Sequence, residues 1–266
     1  MKLRNLFLTA VLLSATLLQA QQNDERVSTP NHWMLGIEMG TEGIFGSFRD
    51  DKWSVRQSFG SFGNFDSRNS SVFANAGSFY FGVKPEFVFG NGRLSVASGL
   101  RYLSVNCTLD NNSRFGFFFL RYGEVGTDTR YARVRSISEN YHFIGIPLEL
   151  RWRPIRFPNP QFNFHLMVGA DAYFKLGSNI EIDFVNDFMQ NEKQTILDYV
   201  GVETNNFLSR AHFGFGASYT FENRMAITVD VLFPFFLTEN NFALIGSPIN
   251  SSAVQFSFQI PLSSQF

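Results

Sequence analysis

Near its end the chain has the stretch Ala253-Val254-Gln255-Phe256-Ser257-Phe258-Gln259-Ile260, which alternates strictly between apolar residues and small or polar ones. A period of two predicts a β-strand whose two faces meet different surroundings. Seven earlier segments alternate in the same way. In most of them one face is large and rich in Phe, while the other carries Gly, Ser, Gln and charged residues. This pattern is typical of a transmembrane barrel with an apolar exterior and a polar interior.

The eight segments predict an all-β fold: an eight-stranded antiparallel up-and-down transmembrane β-barrel formed by residues 33–262. Each predicted strand has about 10 residues or more, which is enough for a tilted strand to cross a bilayer. The predicted strands comprise residues 33–48, 77–89, 93–107, 141–153, 161–176, 207–221, 224–237 and 252–262.

The connections between these strands alternate strictly between long and short. The short ones are Gly90-Asn91-Gly92, Glu222-Asn223 and the Pro-rich residues 154–160. Bacterial outer-membrane barrels have long extracellular loops and short periplasmic turns, so the alternation predicts that both termini lie in the periplasm. The long connections comprise residues 49–76, 108–140, 177–206 and 238–251.

Charged residues occupy the face opposite the aromatic one. A Lys or Arg that faced the acyl chains near mid-bilayer would cost about 2–4 kcal/mol, so these residues are predicted to point into the lumen. The lumen of an eight-stranded barrel is narrow and both signs of charge occur, which predicts a charge-paired, closed lumen. A polar site for catalysis or ion passage is the open alternative. The predicted lumen network comprises Glu38, Lys84, Glu86, Arg101, Glu149, Arg151, Arg153, Asp171, Lys175 and Asp230.

Some segments depart from the simple pattern. In the third predicted strand, Leu103 and Val105 fall on the inward face together with the charges. Residues 114–122 are too apolar for an ordinary loop: they are expected to continue the third strand as a hairpin above the membrane, to fold over the barrel mouth or to contact a partner, and burial is favoured. Residues 180–185 resemble a strand extension, and residues 187–200 have the apolar spacing of a short helix.

The first residues predict export from the cytoplasm. Lys2 and Arg4 precede an apolar run over residues 6–18, and Ala20 supplies a small residue for cleavage. Residues 1–20 are therefore predicted to be a signal peptide, residues 21–32 a short periplasmic segment, and residues 263–266 a C-terminal tail. The predicted location of the mature chain is the outer membrane of a Gram-negative bacterium.

Composition excludes several other classes of protein. Lys and Arg number 22 against 23 Asp and Glu, which gives no electrostatic support for nucleic-acid binding. The single cysteine, Cys107, cannot form an intramolecular disulfide. Thirty-three Phe residues coexist with a mean hydropathy of −0.06, which favours alternating strands over apolar helices.

No chemistry-bearing motif stands out, so the chain is predicted to be non-enzymatic, with no metal and no cofactor. The four histidines lack the spacing of a metal site, although His165 and His212 share the inward register. Ser209, His212 and Asp198 lie near one rim of the predicted barrel, but no nucleophile motif surrounds Ser209.

Two consecutive strands resemble those of the PorT-like outer-membrane β-barrel family of Bacteroidota. The matching stretches are Tyr141-His142-Phe143-Ile144-Gly145-Ile146-Pro147-Leu148-Glu149-Leu150 and His165-Leu166-Met167-Val168-Gly169-Ala170-Asp171-Ala172-Tyr173. The closing hairpin, from Phe213-Gly214-Phe215-Gly216-Ala217 to Val231, is also similar. The resemblance implies the fold and the outer-membrane location, and it implies no single activity.

The expected partners follow from this class. They are outer-membrane lipid, the barrel-assembly machinery during biogenesis, and a protein or glycan at the extracellular loops, with no nucleic acid. The alternatives are a secreted lipocalin-like barrel that holds an apolar ligand, an outer-membrane enzyme and a narrow channel. The lipocalin-like barrel would turn the aromatic face inward and the charged face outward.

Overall fold

The computed structural model describes residues 31–49, 52–56, 72–90, 92–111, 116–123, 128–154, 161–201, 204–239 and 241–262, except the side chains of residues 72, 73, 111 and 247–250. The predicted signal peptide and C-terminal tail lie outside the described residues, as do residues 21–30. A 3-10 helix (Asp187–Glu192) leads directly into the α-helix α1 (Lys193–Val200). The strands are β1 (His32–Phe48), β2 (Val55–Arg56), β3 (Val72–Val88), β4 (Leu94–Ser98), β5 (Leu100–Asn111), β6 (Phe118–Tyr122), β7 (Arg130–Trp152), β8 (Phe162–Phe184), β9 (Phe207–Thr220), β10 (Ala226–Phe236) and β11 (Ile245–Pro261).

Strand pairing closes the sheet into a ring. β1 pairs with β3, which pairs with β4 and β5, and these two pair with β7. The ring continues through β8, β9, β10 and β11, and β11 pairs back with β1. β4 and β5 together form one of the eight strands of the ring, because their register against β3 and β7 is unbroken across Gly99. All pairs are antiparallel, which confirms the predicted eight-stranded up-and-down barrel.

The two faces of each strand separate as the alternation predicts. On β11, Val254, Phe256 and Phe258 are exposed on the outside, whereas Gln255 and Gln259 are buried in the lumen. A register shift by one residue would turn the apolar side chains into the lumen and the polar ones outward, so the alternation fixes the register of this strand.

Several strands are longer than predicted. β7 and β8 each have 23 residues, and they pair from Trp152 and Leu166 up to Val134 and Phe184. The predicted loops 108–140 and 177–206 are therefore partly strand. In these extensions the inward side is apolar and the outward side is polar, as at Ile137 and Asn140. That is the reverse of the membrane pattern, which is why the main strand predictions end too early; the strand extension predicted at residues 180–185 is confirmed up to Phe184.

A small ribbon extends the barrel wall. β6 pairs with the first residues of β7, and β2 pairs with β6. On β6, Phe118, Leu120 and Tyr122 are buried, as the apolar character of residues 114–122 predicted. The ribbon places part of a predicted loop in ordered sheet.

The short connections lie at one end of the barrel, here called the turn end, and the long ones lie at the opposite loop end. At the turn end, Gly92 has a φ of +66° and its N–H donates to the Phe89 carbonyl over 2.7 Å. Residues 155–160 of another turn lie outside the described residues. Within the described chain, neither helix is long and apolar enough to cross a membrane.

Candidate functional site

An apolar belt covers the outside of the barrel. A continuous surface of this kind is unfavourable in water and favourable in hydrocarbon. A lipocalin-like barrel would have its aromatic face inside and its charged face outside, which is the opposite of the arrangement observed here. Members of the belt that are at least half exposed include Trp33, Ile37, Met39, Phe81, Leu100, Ile146, Leu148, Val168, Phe174, Leu176 and Phe256.

Inside the belt lies an ionic layer, in which Arg101 joins three strands. Its Nε donates to Glu38 over 2.6 Å, and its two Nη atoms donate to Glu149 over 2.8 Å and to Asp171 over 3.1 Å. The Lys84 ammonium lies 2.6 Å from both Glu38 and Glu149. All five side chains are at most 3% exposed. Buried charges are tolerated when each is paired and hydrogen-bonded, and this cluster meets both conditions.

A second cluster surrounds Arg151, closer to the turn end. Its Nη atoms donate to Glu86 over 3.2 Å, to Asp230 over 3.0 Å and to Glu149 over 3.4 Å. The other oxygen of Asp230 lies 2.6 Å from Nε2 of His165. Because Glu149 contacts both arginines, the two clusters form one continuous network.

The remaining two predicted network residues lie at opposite ends. Arg153 contacts Glu86 at 3.4 Å and donates to the Gly92 carbonyl over 3.1 Å, so it extends the network to the turn end. Lys175 lies at the loop end and donates to the Thr204 carbonyl over 3.1 Å and hydroxyl over 2.8 Å. Lys175 therefore stands apart from the network to which the sequence assigned it.

The sequence interpretation missed Arg210 and Glu42. Arg210 contacts Glu42 at 2.5 Å and Asp171 at 2.9 Å, and it donates to the Tyr173 hydroxyl over 3.0 Å. His212 lies beside them, with Nδ1 3.5 Å from Asp171. Arg210 shares its inward register with His212, and Glu42 shares its register with Glu38. Both residues lie within the predicted strands 33–48 and 207–221, so following the inward register along these strands identifies both of them.

Two tyrosines lie over guanidinium groups of the ionic layer. Arg101 lies 4.7 Å from the centre of the Tyr80 ring, and Arg210 lies 5.0 Å from the centre of the Tyr173 ring. The Tyr80 hydroxyl donates to Gln255 over 3.1 Å. Each ring therefore contacts a cation, and both tyrosines also belong to the apolar cluster beyond the ionic layer.

That cluster is an apolar layer, which fills the loop end of the barrel. It includes Leu103 and Val105, which explains why these apolar residues lie on the inward face of the third predicted strand together with charged ones. The layer is a small hydrophobic core enclosed by the strand extensions, the β2–β6–β7 ribbon and α1. Its other members include Trp53, Leu109, Phe118, Leu120, Val134, Ile137, Phe143, Ile182, Phe184, Ile196, Leu208, Phe242 and Leu244.

Residues 241–245, here called the plug segment, enter this layer between β10 and β11, and all five are buried. The indole N–H of Trp53 donates to the Ala243 carbonyl over 3.0 Å, and the Asn241 amide donates to the Phe207 carbonyl over 2.8 Å. The Phe242 ring packs edge-on against Tyr141 with centroids 5.5 Å apart. The plug segment is thus held by both backbone and side-chain contacts.

Glu139 supplies a further anchor for the plug segment. Its carboxylate accepts hydrogen bonds from the backbone N–H groups of Ala243 over 2.9 Å and Leu244 over 3.0 Å, and from the Tyr141 hydroxyl over 3.0 Å. Burial raises the pKa of Glu139, since the hydrogen bonds offset the desolvation only in part. Burial beside Glu139 raises the pKa of the Cys107 thiol well above its ordinary value, so this thiol stays protonated at neutral pH.

The possible catalytic and metal-binding groups do not converge. Ser209 and His212 have opposite orientations on β9, and Asp198 lies exposed on α1, where it accepts a hydrogen bond from Gln194 over 2.7 Å. In the described chain, no three His, Cys, Asp or Glu residues are grouped so that they could hold a metal ion. A groove of about 350 Å³ lies at the loop end, beside α1 and β8.

No protein family and no curated protein matches the chain by sequence. Among solved structures, Ail, the attachment invasion locus protein of Yersinia pestis, is 8% identical, with a TM-score of 0.38 over 87% of this chain and 100% of Ail. The outer membrane protein OprG from Pseudomonas aeruginosa is 9% identical, with a TM-score of 0.40 over 88% of this chain and 97% of OprG. At these TM-scores the likeness does not extend to function.

Proposed function

We propose that this protein is a non-enzymatic outer-membrane β-barrel of a Gram-negative bacterium, similar to the PorT-like family, with a closed lumen and an extracellular end that contacts envelope or external partners. The observation that carries this proposal is the pairing of an apolar exterior with an interior of buried, mutually neutralised charges. Such faces suit a protein whose solvent is hydrocarbon.

The orientation follows from the connections. In bacterial outer-membrane barrels the short turns face the periplasm and the longer segments face outward. The turn end of this barrel is therefore periplasmic, and the apolar layer with its ribbon and helix is extracellular. A signal peptide over residues 1–20 and insertion by the barrel-assembly machinery belong to the same proposal.

The closed lumen has two independent supports. In the ionic layer, Arg101, Arg151 and Arg210 each bridge side chains from several strands across a narrow eight-stranded interior. Above it, the plug segment and Trp53 fill the apolar layer. An ion would have to displace paired charges and then enter a hydrophobic core, and both steps are costly.

The absence of enzymatic activity is part of the proposal. Glu149, Asp171 and Asp230 each accept hydrogen bonds from a guanidinium group and are buried, which leaves them poorly suited to exchange protons with a substrate. A binding role fits the extracellular end better, where side chains such as Phe188 on the 3-10 helix are 71% exposed.

Cell fractionation tests the location. We expect the protein in the outer-membrane fraction, with detergent needed for its recovery and with gel migration that changes on heating. A monodisperse protein in detergent-free buffer would refute the proposal. Planar bilayers test the lumen: we expect no wide single-channel steps, and their regular appearance would refute closure.

A further inference from the structure

The outward face of the β2–β6–β7 ribbon carries a cluster of arginines, here called the arginine ribbon: Arg56, Arg121, Arg133 and Arg135. Across the ribbon, Arg56 pairs with Phe119, and Phe119 pairs with Arg133. Arg121 lies two residues beyond Phe119 on β6 and pairs with Tyr131 of β7. Neighbouring strands are about 4.8 Å apart and residues rise about 3.3 Å along a strand, so the four side chains start within a patch roughly 14 Å across.

These arginines point away from the barrel core. The alternate residues of the same strands, Leu120, Ala132 and Val134, are buried in the apolar layer. Arg133 and Arg135 are exposed, and Arg133 lies 5.4 Å from the centre of the Phe117 ring. The ribbon therefore presents the guanidinium groups of Arg133 and Arg135 to the outside, and Arg121 is half-buried on the same face.

Among the described residues, the positive charge of the arginine ribbon is compensated only in part. Arg135 forms an exposed ion pair with Asp183 at 3.3 Å. In the described part of the chain, no carboxylate lies within 4.0 Å of Arg121 or Arg133. The Nε of Arg121 is buried and has no hydrogen-bond partner among the described residues. Among the described residues, Arg133 therefore exposes a guanidinium group without a carboxylate partner, and Arg121 supplies a second one, half-buried, with an unpaired Nε.

The height of the arginine ribbon limits the identity of that anion. The outer surface just above the belt is polar and nearly neutral, with Tyr102 bonded to His142 at 2.6 Å and Asn106 bonded to Asn140 at 2.8 Å. Arg133 lies nine residues beyond His142 on β7. With a rise of about 3.3 Å per residue and a tilt of about 40°, it stands roughly 23 Å above His142. Phospholipid headgroups would lie far below it.

We propose that the arginine ribbon binds the phosphorylated core sugars of glycolipids in the outer leaflet around the barrel. This inference rests on the proposed outer-membrane location. Guanidinium forks recognise phosphate by paired hydrogen bonds. The acyl chains of the glycolipid pack against the same belt from which the ribbon rises, so a core sugar is held near the arginines at high effective concentration.

The test compares Arg121→Gln/Arg133→Gln with wild type in vesicles of phosphatidylcholine and lipopolysaccharide that carries a phosphorylated core. After mild detergent extraction and purification, the lipopolysaccharide retained per protein is measured. We expect about tenfold lower retention in the double variant. Arg130→Gln is the matched control, because Arg130 is next to the same ribbon but follows the inward register and is paired with Asp128 at 2.9 Å. It should retain as much as wild type.

Equal retention by wild type and the double variant would overturn the inference. So would equal retention of lipopolysaccharide that lacks the core phosphates. If free phosphorylated core oligosaccharide binds as tightly as the intact glycolipid, the site serves a soluble glycan and the glycolipid assignment is wrong. The change in gel migration on heating is measured in parallel. If the wild-type protein shows no such change, the result counts against the proposed outer-membrane barrel and not against the arginine ribbon alone.

Discussion

Arg101 illustrates how single residues organise the barrel. It joins carboxylates from β1, β7 and β8, which come from distant parts of the chain. Each group is buried, so each depends on the others for compensation of its charge. A charged residue in this layer therefore contributes to stability only as part of the network.

Replacing Arg101 with Met should destabilise the folded barrel by about 3–5 kcal/mol, because three carboxylates lose a partner in a buried site. Urea unfolding in detergent micelles, followed by the heat-dependent gel shift, measures the change. Arg135→Met is the control: its ion pair with Asp183 is about half exposed, and we expect a change below about 1 kcal/mol. Equal effects of the two substitutions would contradict the importance of the ionic layer.

Gly216 makes room for the contact between Asp230 and His165. A Cβ added at Gly216 would overlap the Asp230 carboxylate and lie 2.8 Å from Nε2 of His165. Gly216→Ala should therefore lower the unfolding free energy by about 1–3 kcal/mol through overpacking. In Gly177→Ala the added Cβ would have no neighbour within 4 Å, so this variant should unfold like wild type in the same urea titration.

At the scale of elements, the plug segment and β7 are connected through Glu139. The only cysteine lies directly across from this anchor, since Cys107 pairs with Glu139 in the β5–β7 register. Cys107 is 0% exposed and its raised pKa keeps the thiol protonated. The protein thus contains a built-in reporter of whether the apolar layer is open.

In folded wild-type protein at neutral pH, Cys107 should react with maleimide only very slowly. Glu139→Ala removes three hydrogen bonds to the plug segment and Tyr141, and we expect labelling to accelerate at least about tenfold. Glu181→Ala, on the outward polar face of β8, should leave the rate unchanged. Fast labelling of the wild type would mean that the loop end is not sealed.

At the scale of the whole molecule, the belt determines which solvent the fold requires. Ile146 lies in the belt on β7 and is 57% exposed. In a lipid bilayer, Ile146→Arg should cost about 2–4 kcal/mol, since the guanidinium would face hydrocarbon. Ser138→Arg, on the outward polar face of the same strand, should cost little. Folding yield into lipid vesicles measures both, and equal yields would indicate that the belt faces water.

The positions that sequence reasoning located well are those governed by local alternation. Phe256 and Gln255 differ in orientation because successive side chains of a strand point to opposite faces, and no other part of the chain is needed to predict it. The same rule turned Glu38, Arg101 and Asp230 inward. The assumption that apolar residues face outward failed beyond the belt. There the barrel exterior faces water instead of hydrocarbon, and the apolar residues lie on the inner face.

The sequence by itself therefore determined the class of fold, the number of strands in the ring and, within the belt, the surroundings of each face. Only the tertiary structure decided which charges meet: Arg210 and Glu42 are 168 residues apart in the chain and are brought together when the barrel closes. It also placed the plug segment against Glu139 and set Lys175 apart from the ionic layer. Alternation is a property of neighbouring residues, whereas these contacts depend on the stagger of all eight strands around the ring, which no local pattern encodes.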